Sequence, residues 1–389
     1  MRNLFLTFGI ICLISTYLFA QNPPLPTSSY GKGIEFLAND SSFSTKIGFR
    51  FQTLYVGVLN TSSNQYADRL SVRRSRLKFD GFVLDPKFVY KVELAVSNQD
   101  QISWLTPEGG NAASIVLDAV LKWKISPNTT IWFGQTKLPG NRERVISSQK
   151  LQFVDRSLVN SFYNLDRGSG IQIHRSNKLN GMVINQQFAL TMGEGRNVIA
   201  NNPNHGYEYT ARLEFLPFGK FTSDGDYFGS DLKREPKPKL SVGLTYDWNQ
   251  HAARSRGNLG NFLTDNNGQY LDNNLSTGFA DLMFKYNGFS VMSEFAYRSS
   301  SATLPGYGTG WGIANQVGYL FDNNFEVATR HTIIDGFANS SIGDIQELTL
   351  GISKYLSEHN LKFQSDISYQ DRVNGTTTIQ FRFQTEVAF

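Results

Sequence analysis

The stretch from Thr376 to Phe389 alternates almost without fault, and it limits what the chain can fold into. Ile379, Phe381, Phe383, Thr385, Val387 and Phe389 fall on one face of an extended strand, and Gln380, Arg382, Gln384 and Glu386 on the other. Successive side chains of a strand point to opposite faces. The segment therefore presents one apolar and one charged face up to its final aromatic residue. A transmembrane β-barrel needs this pattern in its strands, because lipid-facing and lumen-facing side chains alternate.

The same pattern recurs along the chain. Sixteen strand candidates lie at roughly 43–59, 69–83, 87–97, 113–125, 129–136, 168–175, 182–193, 207–216, 239–248, 277–286, 289–298, 309–320, 325–331, 345–355, 361–369 and 376–389. Short turns such as Asp85-Pro86, Asn287-Gly288 and Glu358 to Asn360 alternate with longer polar loops such as Asn60 to Asp68, Lys137 to Arg167 and Asn249 to Ser276. That alternation is expected of periplasmic turns and extracellular loops. One connection, Pro217 to Pro238, is long where a turn is due. A β-sandwich would give similar alternation in any single strand, but not an even strand count together with this loop asymmetry. The expected fold is all-β: a 16-stranded antiparallel transmembrane β-barrel.

Composition agrees where it bears on this. There are 30 Phe and 17 Tyr against 12 Pro, and no uninterrupted apolar segment follows residue 20, as a helical membrane protein would require. Arg2 precedes an apolar run from Leu4 to Phe19, and Ala20-Gln21 offers a small-residue cleavage point. Residues 1–20 therefore read as a signal peptide, 21–42 as a short periplasmic segment and 43–389 as the barrel. The only cysteine, Cys12, falls inside the signal, so the mature chain is expected to lack disulfide and thiol chemistry. A formal charge of +4 is too small to imply nucleic acid as a partner.

Charged residues share faces in mid-strand: Lys46, Arg50 and Gln52; Arg74, Arg76, Lys78 and Asp80; Asp118, Lys122 and Lys124; Glu208, Arg212 and Glu214. An arginine or lysine facing lipid at the bilayer midplane costs about 2–4 kcal/mol, so these faces are expected to line water. The third extracellular loop carries Lys137, Arg142, Arg144, Lys150 and Arg156 against Glu143 and Asp155. It also holds an apolar series, Leu151, Phe153, Val154, Leu158, Val159 and Phe162, spaced for one side of a short helix. Such a loop is expected to fold into the lumen and narrow it.

Several segments carry a specific resemblance: Arg69 to Gly81 (RLSVRRSRLKFDG), Gly134 to Pro139 (GQTKLP), Ser147-Ser148, Phe153 to Ser157 (FVDRS) and Arg167 to Ile171 (RGSGI). With them the chain resembles the phosphate-selective porin O and P family of trimeric, sixteen-stranded outer-membrane porins. Its terminal Phe is similar to the assembly mark of outer-membrane barrels. The resemblance implies a homotrimer in outer-membrane lipid that passes small anions, phosphate among them, through a basic constriction. It also implies matched residues at Arg73, Arg74, Ser147 and Ser148, and more weakly at Arg50. With Arg76, Lys137, Arg142, Arg144, Arg156 and Arg212, these form the candidate anion-binding set. Strand parity turns Arg73 outward if Arg74 faces the lumen, unless a bulge brings both inward. The family's arginine ladder has no evident counterpart on the eighth strand, where Arg212 stands between two glutamates.

Other classes compete. A general, non-selective porin would share every feature above except the anion preference. A barrel enzyme would need a catalytic constellation, yet the histidines at 174, 205, 251, 331 and 359 are scattered and no Gly-x-Ser-x-Gly elbow occurs. Only His174 shares a lumen face with neighbours such as Gln172. A receptor or adhesin would use Asn249 to Ser276, whose Asn and Asp residues lack a complete Ca²⁺-ligand spacing. No cofactor or metal is implied.

Overall fold

The computed structural model describes residues 27–97, 99–100, 115–198, 206–373 and 375–389. The expected signal peptide lies outside the described residues, as do most of the loop 98–112 and residues 199–205. A short hairpin, β1 (Thr27–Ser29) and β2 (Gly33–Leu37), precedes sixteen strands. They are β3 (Ser44–Asn60), β4 (Gln65–Val83), β5 (Asp85–Ala95), β6 (Val116–Ser126), β7 (Thr129–Lys137), β8 (Arg167–Leu179), β9 (Met182–Thr191) and β10 (Glu208–Leu216). The rest are β11 (Lys239–Asn249), β12 (Leu275–Tyr286), β13 (Phe289–Ser300), β14 (Gly310–Leu320), β15 (Phe325–Gly336), β16 (Ile345–Ser357), β17 (Leu361–Arg372) and β18 (Thr377–Ala388).

From β3 onward each strand pairs antiparallel with the next, and β18 returns to β3 in register from Thr378↔Asn60 to Ala388↔Arg50. The sheet is a closed sixteen-stranded barrel. Closure leaves no row of unpaired backbone groups, which is what a spanning sheet needs in hydrocarbon. β2 takes the stretch of β3 that β18 leaves uncovered, pairing Ile34 to Leu37 with Ile47 to Ser44. The sequence reading missed this hairpin because strands of three and five residues are too short to show a period.

The two faces sort as the alternation requires. Phe381 and Phe383 are 45% and 41% exposed, whereas Arg382, Gln384 and Glu386 between and beside them are buried inside. At the seam Phe389 exchanges backbone hydrogen bonds with Phe49, and the two rings lie 5.6 Å apart.

Two connections carry structure of their own. Residues 138–166 hold a single turn, α1 (Arg142–Val145), a 3₁₀ turn at Ser148–Lys150 and the helix α2 (Leu158–Tyr163). The apolar series expected to line one helix is instead divided among three anchors, a correction to the sequence reading. Leu151 packs with Ile146, Leu216, Met283 and Met292; Val154 with Leu54 and Val56; Val159 and Tyr163 with Phe279, Ile334 and Ile345. Apart from Ile146 of the segment itself, these partners lie on β3, β10, β12, β13, β15 and β16, so the segment crosses the enclosed space. The long connection 217–238 meets it from the short-turn side, where Gly229 N–H donates to Lys150 O, and is held to β12 by Lys285 Nζ, which donates to Gly225 O and Ser230 O.

Candidate functional site

The site begins with an irregularity in β4. Gln52 pairs with Arg74 but Thr53 pairs with Val72, so Arg73 is an extra residue in a bulge. A bulge reverses parity along a strand. Val72 and Leu70 accordingly point outward, 49% and 75% exposed, while Arg73 and Arg74 both turn inward. Asp155 of the crossing segment receives them, at 3.0 Å from Arg73 and 3.5 Å from Arg74.

Around this carboxylate lies a chamber of about 450 Å³ on the long-loop side, lined by Arg73, Arg74, Arg144, Arg156, Arg372 and Arg382 together with Glu347. The arginines differ in how they are satisfied. Arg382 is paired with Asp366 and Arg144 with Asp166, each at 2.5 Å. Among the described residues Arg156 donates to backbone alone, to Glu143 O at 2.8 Å and Ile146 O at 2.7 Å. Burial, then the neighbouring Arg144 and Arg74, push its guanidinium well below the ordinary pKa. An anion in the chamber would relieve that pressure.

Below the chamber Arg74 Nη1 donates to Gln52 Oε1 at 2.9 Å, and Arg50 donates to Ser148 Oγ at 2.8 Å while pairing with Glu386 at 3.1 Å. Two adjoining cavities of about 300 and 400 Å³ open toward the short turns, sharing Arg76, Lys91, Glu93, Ser147 and Lys150. Arg76 is held by Glu93 and Asp100. Lys137 donates to the carbonyls of Arg144, Val145 and Ile146, and Ser147 accepts from Gln149 N–H. Both shape the segment and also line the lower cavity. His174 is stacked on Trp132 and bonded to Gln172, and no carboxylate is hydrogen-bonded to it among the described residues.

Two candidates are elsewhere. Arg142 and Arg212 are buried and face the carboxylates of Asp281 and Glu214, so neither lines the chamber. Conversely, Arg372 and Arg382 line it without having been nominated from sequence, although Arg382 stands on the charged face of the last strand.

The crossing segment's own carboxylates resist acid. Burial would raise Asp155 and Asp166, but Arg73 and Arg74 in one case and Arg144 and Arg167 in the other outweigh it and hold both below the ordinary range. A depressed carboxylate stabilises the folded state above its unfolded pKa, about 4, and loses that contribution as pH falls further. Single-channel conductance should therefore be steady from pH 8 to pH 5, with loosening only below about pH 4. A step in conductance or noise between pH 7 and pH 5 would contradict these anchors.

A closed, antiparallel barrel with a charged interior and an apolar exterior is a membrane-spanning barrel of the outer-membrane type. The model of the family described as phosphate-selective porin O and P matches residues 45–237, and the chain belongs to that family. Among solved structures, the fold is similar to an anion-selective porin from Comamonas acidovorans (TM-score 0.55, 11% identity, 89% of this chain and 100% of that one). It is also similar to OprB of Pseudomonas putida (0.58, 9%, 89% and 94%) and to the channel DcaP of Acinetobacter baumannii (0.55, 10%, 91% and 99%). No curated sequence matches. Family and fold define a passive diffusion channel of the bacterial outer membrane and point away from an enzyme.

Proposed function

We propose that the channel prefers anions, and that small anionic solutes, phosphate among them, are selected in the chamber where Arg73 and Arg74 converge on Asp155 and Arg156 lines the wall. The observation carrying this is the bulge at Arg73, which adds a second inward arginine at one level of the wall. Arg50 and Arg76, with Ser147 and Ser148, continue the basic lining below, and Lys137 and Arg144 hold the segment that narrows the passage. Arg142 and Arg212 are positioning residues. The native assembly in this reading is a homotrimer in outer-membrane lipid, as expected of the family.

Two unit charges 4 Å apart interact by about 1 kcal/mol in water and about 4 kcal/mol at an effective dielectric of 20. Selection thus depends on a confined site, and screening over about 8 Å at physiological salt would silence the same arginines in a wide pore. Reversal potentials in planar bilayers under a KCl gradient test the reading. The expected result is a shift toward the chloride equilibrium potential and a chloride current reduced by added phosphate. A reversal potential near zero would make the protein a general diffusion porin.

A further inference from the structure

We propose that the outer wall of β8–β13 holds one inner-leaflet phospholipid, with its phosphate at Arg175 and an acyl chain in an apolar groove. The groove encloses about 780 Å³, within the roughly 300–1,000 Å³ of small-molecule sites. It is built from two adjacent rows of outward residues. One runs Arg175, Gln186, Leu213, Leu244, Ala280, Phe295 and the next Ile173, Phe188, Ala211, Tyr246, Gly278, Tyr297, each residue paired with its neighbour across the strands. Ala211, Gly278 and Ala280 sit low between rings and branched chains that are 38–57% exposed, and the depression follows from that difference in height.

What selects the occupant is the charge at one end. Arg175 shares the outward face of β8 with Ile171 and Ile173, is exposed, and makes no ion pair among the described residues. The adjacent outward residue is the uncharged Gln186. Arg175 is four residues from Leu179, where β8 meets the short turn to β9, whereas Ala280 is six residues from the end of β12 at Tyr286. The charged end therefore lies nearer the periplasmic rim and the small residues nearer the bilayer middle. An outward arginine is costly at the bilayer midplane and nearly free of cost close to an interface. A lipid phosphate at that level neutralises it, while the acyl chain, already in hydrocarbon, is held by van der Waals packing against the walls of the groove. The occupant matched to both ends is a diacyl phospholipid rather than a neutral lipid or a second copy of the chain.

Native mass spectrometry of the full-length protein, released from detergent in the presence of phosphatidylglycerol or a diacylglycerol with the same chains, tests this. The wild type should retain one phosphatidylglycerol at least about fivefold over the diacylglycerol. Arg175→Gln should abolish that preference. Gly278→Leu should displace the chain, and it should fold, because a Cβ at Gly278 meets nothing within 4 Å; unchanged ion conductance would verify the barrel in both variants. Retention unaffected by either substitution, equal retention of the diacylglycerol, or cross-linking from position 278 to a second copy would overturn the proposal.

Discussion

Replacing Arg142 with alanine will leave a barrel that assembles but whose crossing segment is loose, weakened by about 3–5 kcal/mol, the usual cost of removing one partner from a buried ion pair. Arg142 is fully buried, with Nε 2.6 Å from Asp281 Oδ1 and Nη2 3.2 Å from Glu214 Oε1 and 2.8 Å from Ser241 Oγ. Its Nη1 donates to Asp226 O, so one guanidinium joins the crossing segment to three strands and to the 217–238 connection. Arg212 contacts the same two carboxylates. Without Arg142 a single cation faces both of them out of reach of water. The expected readout is a larger and noisier unitary conductance, with faster tryptic cleavage after Arg144, Lys150 or Arg156. Arg142→Lys, which keeps the charge but loses the planar fork, should fall between. Wild-type conductance and protease resistance in the alanine variant would mean that the apolar anchors hold the segment unaided.

The strands were legible because a half-buried strand writes its period of two directly into the sequence, and all sixteen appear where the alternation places them. The C-terminal end of β15 shows the limit: alternation marked it only to His331, yet the strand continues through Ile333 and Ile334 to Gly336. Parity raised the question of Arg73 but could not answer it. A bulge depends on register with β3, and one strand does not reveal its partner's register. The loop arginines were harder still. Arg142 and Arg156 look alike in sequence, but Arg142 meets carboxylates 72 and 139 residues away while Arg156 meets only carbonyls within its own segment. The apolar series suggested one helix because spacing records that side chains are buried, not which wall buries them. The inner walls receiving it, Leu54, Val56, Met283 and Met292, break the rule that lumen faces are polar, since the segment shields them from water.

In the proposed anion site Asp155 competes with the solute for the same arginines, so Asp155→Asn is expected to strengthen anion binding. Its carboxylate is the anion that Arg73 and Arg74 already hold, at 3.0 and 3.5 Å. Any solute anion must compete with it, and must do so in a site whose remaining acid is Glu347. The amide keeps the shape and can still accept one hydrogen bond, while Val154 N–H stays bound to Asp366 Oδ2 at 3.1 Å and keeps the segment in place. A full unit charge at 4 Å would be worth about 4 kcal/mol at an effective dielectric of 20, and mobile ions and water reduce that. A tenfold lower half-blocking phosphate concentration, corresponding to about 1.4 kcal/mol, is the expected change, along with a reversal potential closer to the anion limit. Arg74→Gln should move both quantities the other way, leaving Arg73 alone with Asp155 as a neutral pair. If both variants reproduced the wild-type block, the arginines at the bulge would be serving only to anchor the segment, and selection would have to reside in the lower cavities around Arg50 and Arg76.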